Sequence, residues 1–153
     1  MAATGQPRRK VSAVVAVLDT NHFREYIRAS AAGSRLRQRL REKEADLFTT
    51  IITSLESFQG WFAFINRLPP GREQVHAYAV YQQSLEAITG LGLLAFDMNA
   101  AVLFEDLKKQ RPRSGTVDLK IASICLAHDA TLLSRNLVDF EQVPGLQVEN
   151  WLD

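Results

Sequence analysis

Val11-Ser12-Ala13-Val14-Val15-Ala16-Val17-Leu18-Asp19-Thr20-Asn21, or VSAVVAVLDTN, is the stretch that decides the fold. Residues 11–18 are apolar, β-branched or small, and charge bounds them on both sides, with Arg8-Arg9-Lys10 before and Asp19 after. Eight residues is strand length, far short of the roughly 18 apolar residues that cross a bilayer. A strand that is apolar on both faces belongs in the middle of a sheet covered on both sides. Asp19 follows at once, so its carboxylate lies at the carboxyl edge of that strand, where ligand sites of open α/β sheets collect.

Outward from this strand, strand-like and helix-like stretches alternate. A helix is expected after Asn21, through Phe23, Tyr26 and Ile27, with Gly33 breaking it and Ser34 capping a second helix that carries Leu36 and Leu40 on one face. Residues 47–52 (LFTTII) read as a second strand, and Thr53 or Ser54 as the cap of a helix carrying Glu56, Phe58, Trp61, Phe62 and Ile65. Pro69-Pro70-Gly71 is a stop, and residues 72–88 form an amphipathic helix. Gly90 and Gly92 bracket a turn before a short strand over 93–96. Asp97 reads as the N-cap of a helix through Leu107, residues 111–115 as a loop, and Thr116 as the cap of a helix over 117–128. Residues 131–134 and 146–148 supply a fourth and a fifth strand. This alternation predicts an α/β sandwich of three layers, a mainly parallel sheet of four to five strands flanked by helices. Residues 1–12 read as a flexible polar tail and 13–153 as one domain.

The apolar share of 46% is enough for a core, and the expectation is no membrane span and no signal peptide. The one cysteine, Cys125, can form no internal disulfide and fits a reducing cytoplasm; its place on the apolar stripe of its helix makes it a packing residue. Net charge is +1, but unevenly spread: residues 1–41 carry a surplus of seven positive charges and residues 42–153 a surplus of six negative ones. A basic segment beside an acidic body suits a polyanion held near an acidic site, although a solvated arginine-rich helix face would read the same way.

Four acids stand where a turn meets a regular element: Asp19, Glu56, Asp118 and Asp139. Each has an ordinary explanation. Asp19 would cap a helix, Glu56 and Asp118 would sit in the first turn of helices whose N-termini favour anions, and Asp139 would cap a short turn that carries Phe140 inward. Yet all four fall at matching strand-to-helix edges of one sheet. Carboxylates gathered there repel unless a cation lies between them, and a hard divalent ion such as Mg²⁺ takes oxygen ligands. Asn21, Ser134 and Asn136 stand beside them as polar groups able to orient a carboxylate or a water, and the small Ala122 would leave room above Asp118. His22, His76 and His128 have no spacing for a zinc site, and His128 reads as a partner of a helix end. The aromatic group Phe58, Trp61, Phe62 and Phe64 on one helix reads as core or protein interface. There is no Gly-rich phosphate loop and no Gly-x-Ser-x-Gly elbow. An aspartyl-nucleophile phosphatase would want a second acid two residues after Asp19, where Asn21 stands.

VLDTN at 17–21, TSLESFQG at 53–60, FDMNAA at 96–101 and DLKIASICLAHDATLLSRNLVDFEQVPGL at 118–146 together resemble the PIN-domain ribonucleases, specifically the VapC-type toxins of bacterial toxin–antitoxin pairs. The resemblance covers roughly residues 14–150. It implies a PIN-like sandwich and an acidic site made of Asp19, Glu56, Asp118 and Asp139, with Ser134 and Asn136 as the polar word beside it. It implies Mg²⁺- or Mn²⁺-dependent cleavage of RNA, a homodimer, and a small antitoxin protein whose tail occupies the groove. Three departures stand out: His22-Phe23-Arg24 in place of small apolar residues, Asp129 where the family often has glycine, and the added length of residues 1–12.

On this reading Asp19 and Asp118 bind the metal, with Glu56 and Asp139 acting directly or through water. Arg24, Arg28, Arg35 and Arg39, with Arg111 and Arg113, would track the RNA backbone. Two alternatives keep the fold: a housekeeping RNA-processing nuclease without an antitoxin, and a metal-free PIN-like binding domain.

Overall fold

A computed structural model describes residues 14–110 and 115–153. The tail, Arg111 and Arg113 lie outside the described residues. Five strands make one wholly parallel sheet: β1 (Val15–Leu18), β2 (Asp46–Thr50), β3 (Gly92–Leu94), β4 (Thr131–Leu133) and β5 (Gln147–Glu149), in the order β3-β2-β1-β4-β5. The strand expected over 11–18 is thus central, but it starts at Val15: Val14 lies outside it, and residues 11–13 are outside the described residues. Helices α1 (Thr20–Tyr26) and α2 (Ala31–Glu42) join β1 to β2; α3 (Ile51–Arg67) and α4 (Val75–Gly90), with a 3₁₀ turn at Arg72–Gln74 between them, join β2 to β3. Helices α5 (Met98–Gln110) and α6 (Thr116–Ala127) join β3 to β4, and the short α7 (Leu137–Phe140) leads to β5.

The two-residue period of a strand divides the core. Val15 and Val17 of β1, with Leu132 of β4, face a layer built from Leu107, Leu119, Ala122, Ile124, Cys125 and Phe140. Ala16 and Leu18, with Leu133, face Phe23, Leu36, Leu40, Trp151 and Leu152. The chain winds outward through β1, β2 and β3, then returns to place β4 on the other side of β1. The winding therefore reverses between β1 and β4, and in open α/β sheets the carboxyl ends of strands at such a reversal are where ligand crevices form.

Several boundaries differ from the sequence expectations for local reasons. Gly33 lies inside α2 rather than ending a helix, and Ser30, not Ser34, is the cap, accepting from the Gly33 amide at 3.0 Å. A Cβ at position 33 would strike the carbonyl of Glu25, so glycine serves close packing of the α1–α2 turn there. Thr50 caps α3, accepting from the Thr53 amide at 3.0 Å, so that helix starts before Thr53 and Ser54 and shortens β2. Thr116 is the first residue of α6, whose N-cap position is Gly115. Asp97 does cap α5, accepting from the Ala100 amide at 3.0 Å. Asp129 has φ 49°, and the bonds Asp129 N to Leu126 O and Ala130 N to Cys125 O close α6 in the manner that favours glycine. That explains physically why a glycine would suit this position.

Candidate active site

Asp19 leaves β1 with 8% of its surface exposed, its amide bonded to the Leu133 carbonyl of β4 at 3.1 Å. Its Oδ1 accepts from the His22 amide at 2.8 Å, so it caps α1 as expected. The cap and the site are the same side chain, because the first turn of α1 starts at the crevice. The next residue, Thr20, donates from Oγ1 to Glu56 Oε1 at 2.9 Å across 36 residues of sequence. Glu56 is the sixth residue of α3, not in its first turn, because the helix begins at Ile51. The helix-terminus explanation for Glu56 therefore fails, since that effect falls off within the first turn.

Asp118 is in the first turn of α6, as expected. Its carboxyl is held above the usual carboxylate range, first by burial and then by the negative charges of Glu56, Asp139 and Asp19. The four acids thus share one field at the carboxyl edge of the sheet. Ala122, one turn on from Asp118, is fully buried in the core layer with Leu119 and Ile124. Ser134 is buried at the end of β4, and its Oγ accepts from the Asn136 amide at 3.0 Å. Asn136 Nδ2 in turn donates to Asp139 Oδ2 at 3.0 Å, and Asp139 lies within α7 while Phe140 turns into the core. Asn21 is exposed on α1.

Among the described residues, no three His, Cys, Asp or Glu side chains stand gathered closely enough to hold an ion as they are. Three of the acids accept from neutral donors: Asp19 from the His22 amide, Glu56 from Thr20, and Asp139 from Asn136. The donor set is all carboxylate oxygen, and the field that raises Asp118 is one that a divalent cation would neutralise. These residues fit a hard, oxygen-seeking ion of the Mg²⁺ or Mn²⁺ kind.

Residues 16–146 match the family described as PIN domain. The chain belongs to the PIN-domain family. The PIN domain is 36% identical over 72 residues to Ribonuclease VapC1 of Rickettsia felis, a stretch covering 47% of this chain and 53% of that protein. It thus spans about half the length of the curated relatives it matches. Among solved structures it is similar to VapBC2 from Rickettsia felis bound to a promoter DNA fragment, with TM-score 0.71 and 21% identity over 90% of this chain and 99% of that one. A toxin–antitoxin complex from Klebsiella pneumoniae gives TM-score 0.64 and 19% identity over 88% and 96%. The second and third likenesses bear on the fold, and the parallel PIN-like sheet expected from the sequence is the sheet found.

The arginines divide. Arg35 Nε donates to the Leu152 carbonyl at 2.9 Å, and Arg39 donates to the carbonyls of Asn150 and Asp153, both at 3.1 Å. Arg28 is 3.7 Å from Glu25, and Arg24 is exposed in the last turn of α1. Cys125 is a packing residue as expected: burial, with the charge of Asp19 adding to it, pushes its thiol up to about 12. The α3 aromatics are not core. Phe58, Phe62 and Phe64 are exposed, with Phe58 and Phe62 stacked at 6.1 Å. No helix among the described residues is long and apolar enough to cross a membrane. One neighbour of the site was not found from sequence. His22 is fully buried with Nδ1 3.3 Å from Asp19 Oδ1. Its signal was its place three residues after a helix N-cap, which puts it over the capping carboxylate.

Proposed function

We propose that this PIN domain is a metal-dependent endoribonuclease that hydrolyses RNA phosphodiester bonds and acts as the toxin of a toxin–antitoxin pair in the cytoplasm. The observation that carries the reading is the shared field of Asp19, Glu56, Asp118 and Asp139 at the β1/β4 crevice. Its membership of the PIN family and its likeness to a relative named as a ribonuclease support the chemistry. Asp19 and Asp118 would hold Mg²⁺ or Mn²⁺ directly, and Glu56 and Asp139 directly or through water. When bound, the ion would lower the pKa of a water and offset charge on the phosphorane-like transition state.

The chain's own residues do the positioning. The His22 amide fixes one oxygen of Asp19, Thr20 fixes Glu56, and the Ser134-Asn136 turn fixes Asp139. Arg24 and Arg28 are exposed and are the better candidates for RNA phosphates, while Arg35 and Arg39 serve the fold at residues 150–153. A small antitoxin protein and a second copy of the chain are the proposed partners. The exposed aromatic face of α3, with Leu55, Phe58 and Phe62, is the surface that supports a protein partner.

The test is single-turnover cleavage of structured RNA with Mg²⁺, comparing wild type, Asp19→Asn and Asp118→Asn. Cleavage by the wild type alone supports the assignment, and equal rates in all three would sink it. Where phosphate contacts guide binding, affinity falls steeply as salt rises.

A further inference from the structure

His22 is not one of the four acids, yet its side chain is fully buried beside Asp19. Its imidazole is fully buried, and the next residue, Phe23, packs in the layer of Leu36 and Trp151. Nε2 accepts the backbone N–H of Trp151 at 3.2 Å. A ring nitrogen that accepts carries no proton, so in the neutral imidazole the proton is on Nδ1. Nδ1 has no hydrogen-bond partner among the described residues, and stands 3.3 Å from Asp19 Oδ1, close but not aligned. That oxygen is already the acceptor for the His22 amide. A buried donor left without an acceptor is costly, so its place beside the Asp19 carboxylate calls for an explanation.

We propose that His22 is a positioning residue for Asp19, its tautomer set by Trp151 and its Nδ1 proton directed at the carboxylate that would bind the metal. This rests on the metal-site reading above. The segment that sets the tautomer is itself pinned to the body. Arg35 and Arg39 hold the carbonyls of Leu152, Asn150 and Asp153, and Arg135 pairs with the Asp153 side chain at 3.2 Å. The order of influence is therefore from these arginines to residues 150–153, from Trp151 to His22, and from His22 to Asp19. Hydrogen bonds to a ligating carboxylate orient it and tune its basicity, so the effect falls on metal affinity.

Two near-isosteric variants separate the roles of the two nitrogens. His22→Asn keeps a donor near Nδ1 and loses the acceptor for Trp151. His22→Gln keeps an acceptor near Nε2 and loses the Nδ1 donor. Mn²⁺ binding is measured by calorimetry, with thermal unfolding of the metal-free protein alongside. The expected result is that His22→Gln weakens Mn²⁺ about tenfold or more with little change in Tm, while His22→Asn lowers Tm but keeps Mn²⁺ within about threefold of wild type. If His22→Gln binds Mn²⁺ as wild type does, or if both variants lose affinity and Tm in parallel, His22 is structural only. A wild type that binds no Mn²⁺ overturns the metal-site reading and this proposal with it. Should either variant fail to fold, ¹⁵N-histidine spectra of the wild type decide: a protonated Nδ1 whose resonance shifts on adding Mg²⁺ supports the role, and an unmoved one removes it.

Discussion

Asp19 has two jobs in one side chain, and two substitutions pull them apart. As the cap of α1 it accepts the His22 amide at 2.8 Å, and as a member of the acidic field it raises the pKa of Asp118. Asparagine caps as well as aspartate, so Asp19→Asn keeps the bond. It loses the attraction of an anion for the helix N-terminus, about 0.3–1 kcal/mol. It also removes a negative charge that Asp118 feels, which acts in the opposite direction. The two nearly cancel, and the metal-free stability of Asp19→Asn is expected within about 0.5 kcal/mol of wild type. Asp19→Ala is different. It leaves a buried amide without its acceptor, at about 1–2 kcal/mol, which for a chain of this size lowers Tm by roughly 2–8 °C. Both variants are expected to lose Mn²⁺ binding. The assay is urea denaturation in a chelator, paired with calorimetric Mn²⁺ titration. An Asp19→Asn protein as unstable as Asp19→Ala would refute the cap argument. One that binds Mn²⁺ like wild type would refute the site.

Three further outcomes follow from the same structure. Asp118 is an acid whose folded pKa lies above its ordinary value, so its ionised form weighs against the fold above that pKa, and the penalty fades as pH falls through it. Asp118→Asn should therefore stabilise the metal-free protein at neutral pH, and its advantage should shrink toward pH 4; an advantage that is constant or grows in acid contradicts the shared field. Asp129→Gly, at a left-handed position closing α6, should stabilise by about 1 kcal/mol in urea melts, through relief of φ 49° and loss of an anion at a helix C-terminus; a destabilised protein would show that the side chain has an unrecognised partner. The Cys125 thiol, buried and pushed up to about 12, should react with a thiol reagent only at the rate of unfolding, and fast labelling of the native protein would contradict its placement.

The apolar run ending at Leu18 was enough to place a central strand, and alternation along the chain was enough to predict a parallel sheet between helices. Asp19, Asp118 and Asp139 could be set at strand-to-helix edges because an acid directly after a β-rich run, or in a helix's first turn, has few other places to go. Glu56 was harder, since the sequence reading ran the strand to Ile52 and offered Thr53 or Ser54 as the cap, whereas α3 is capped by Thr50 and starts at Ile51. The glycine at 33 read as a breaker because its sequence neighbours do not reveal the carbonyls it lies against.

What the sequence by itself determined is the inventory: a strand-forming core, helices of the right period, and four acids spaced one per crossover. Only the tertiary structure decided their meeting. The winding reverses between β1 and β4, and that brings residues 19, 56, 118 and 139 to one crevice although about 120 residues of chain separate the first from the last. The same packing turned His22 from an isolated histidine into a neighbour of Asp19, with Trp151 on its far nitrogen. Contacts across such distances depend on how layers settle around a sheet, and no local pattern of residues encodes them.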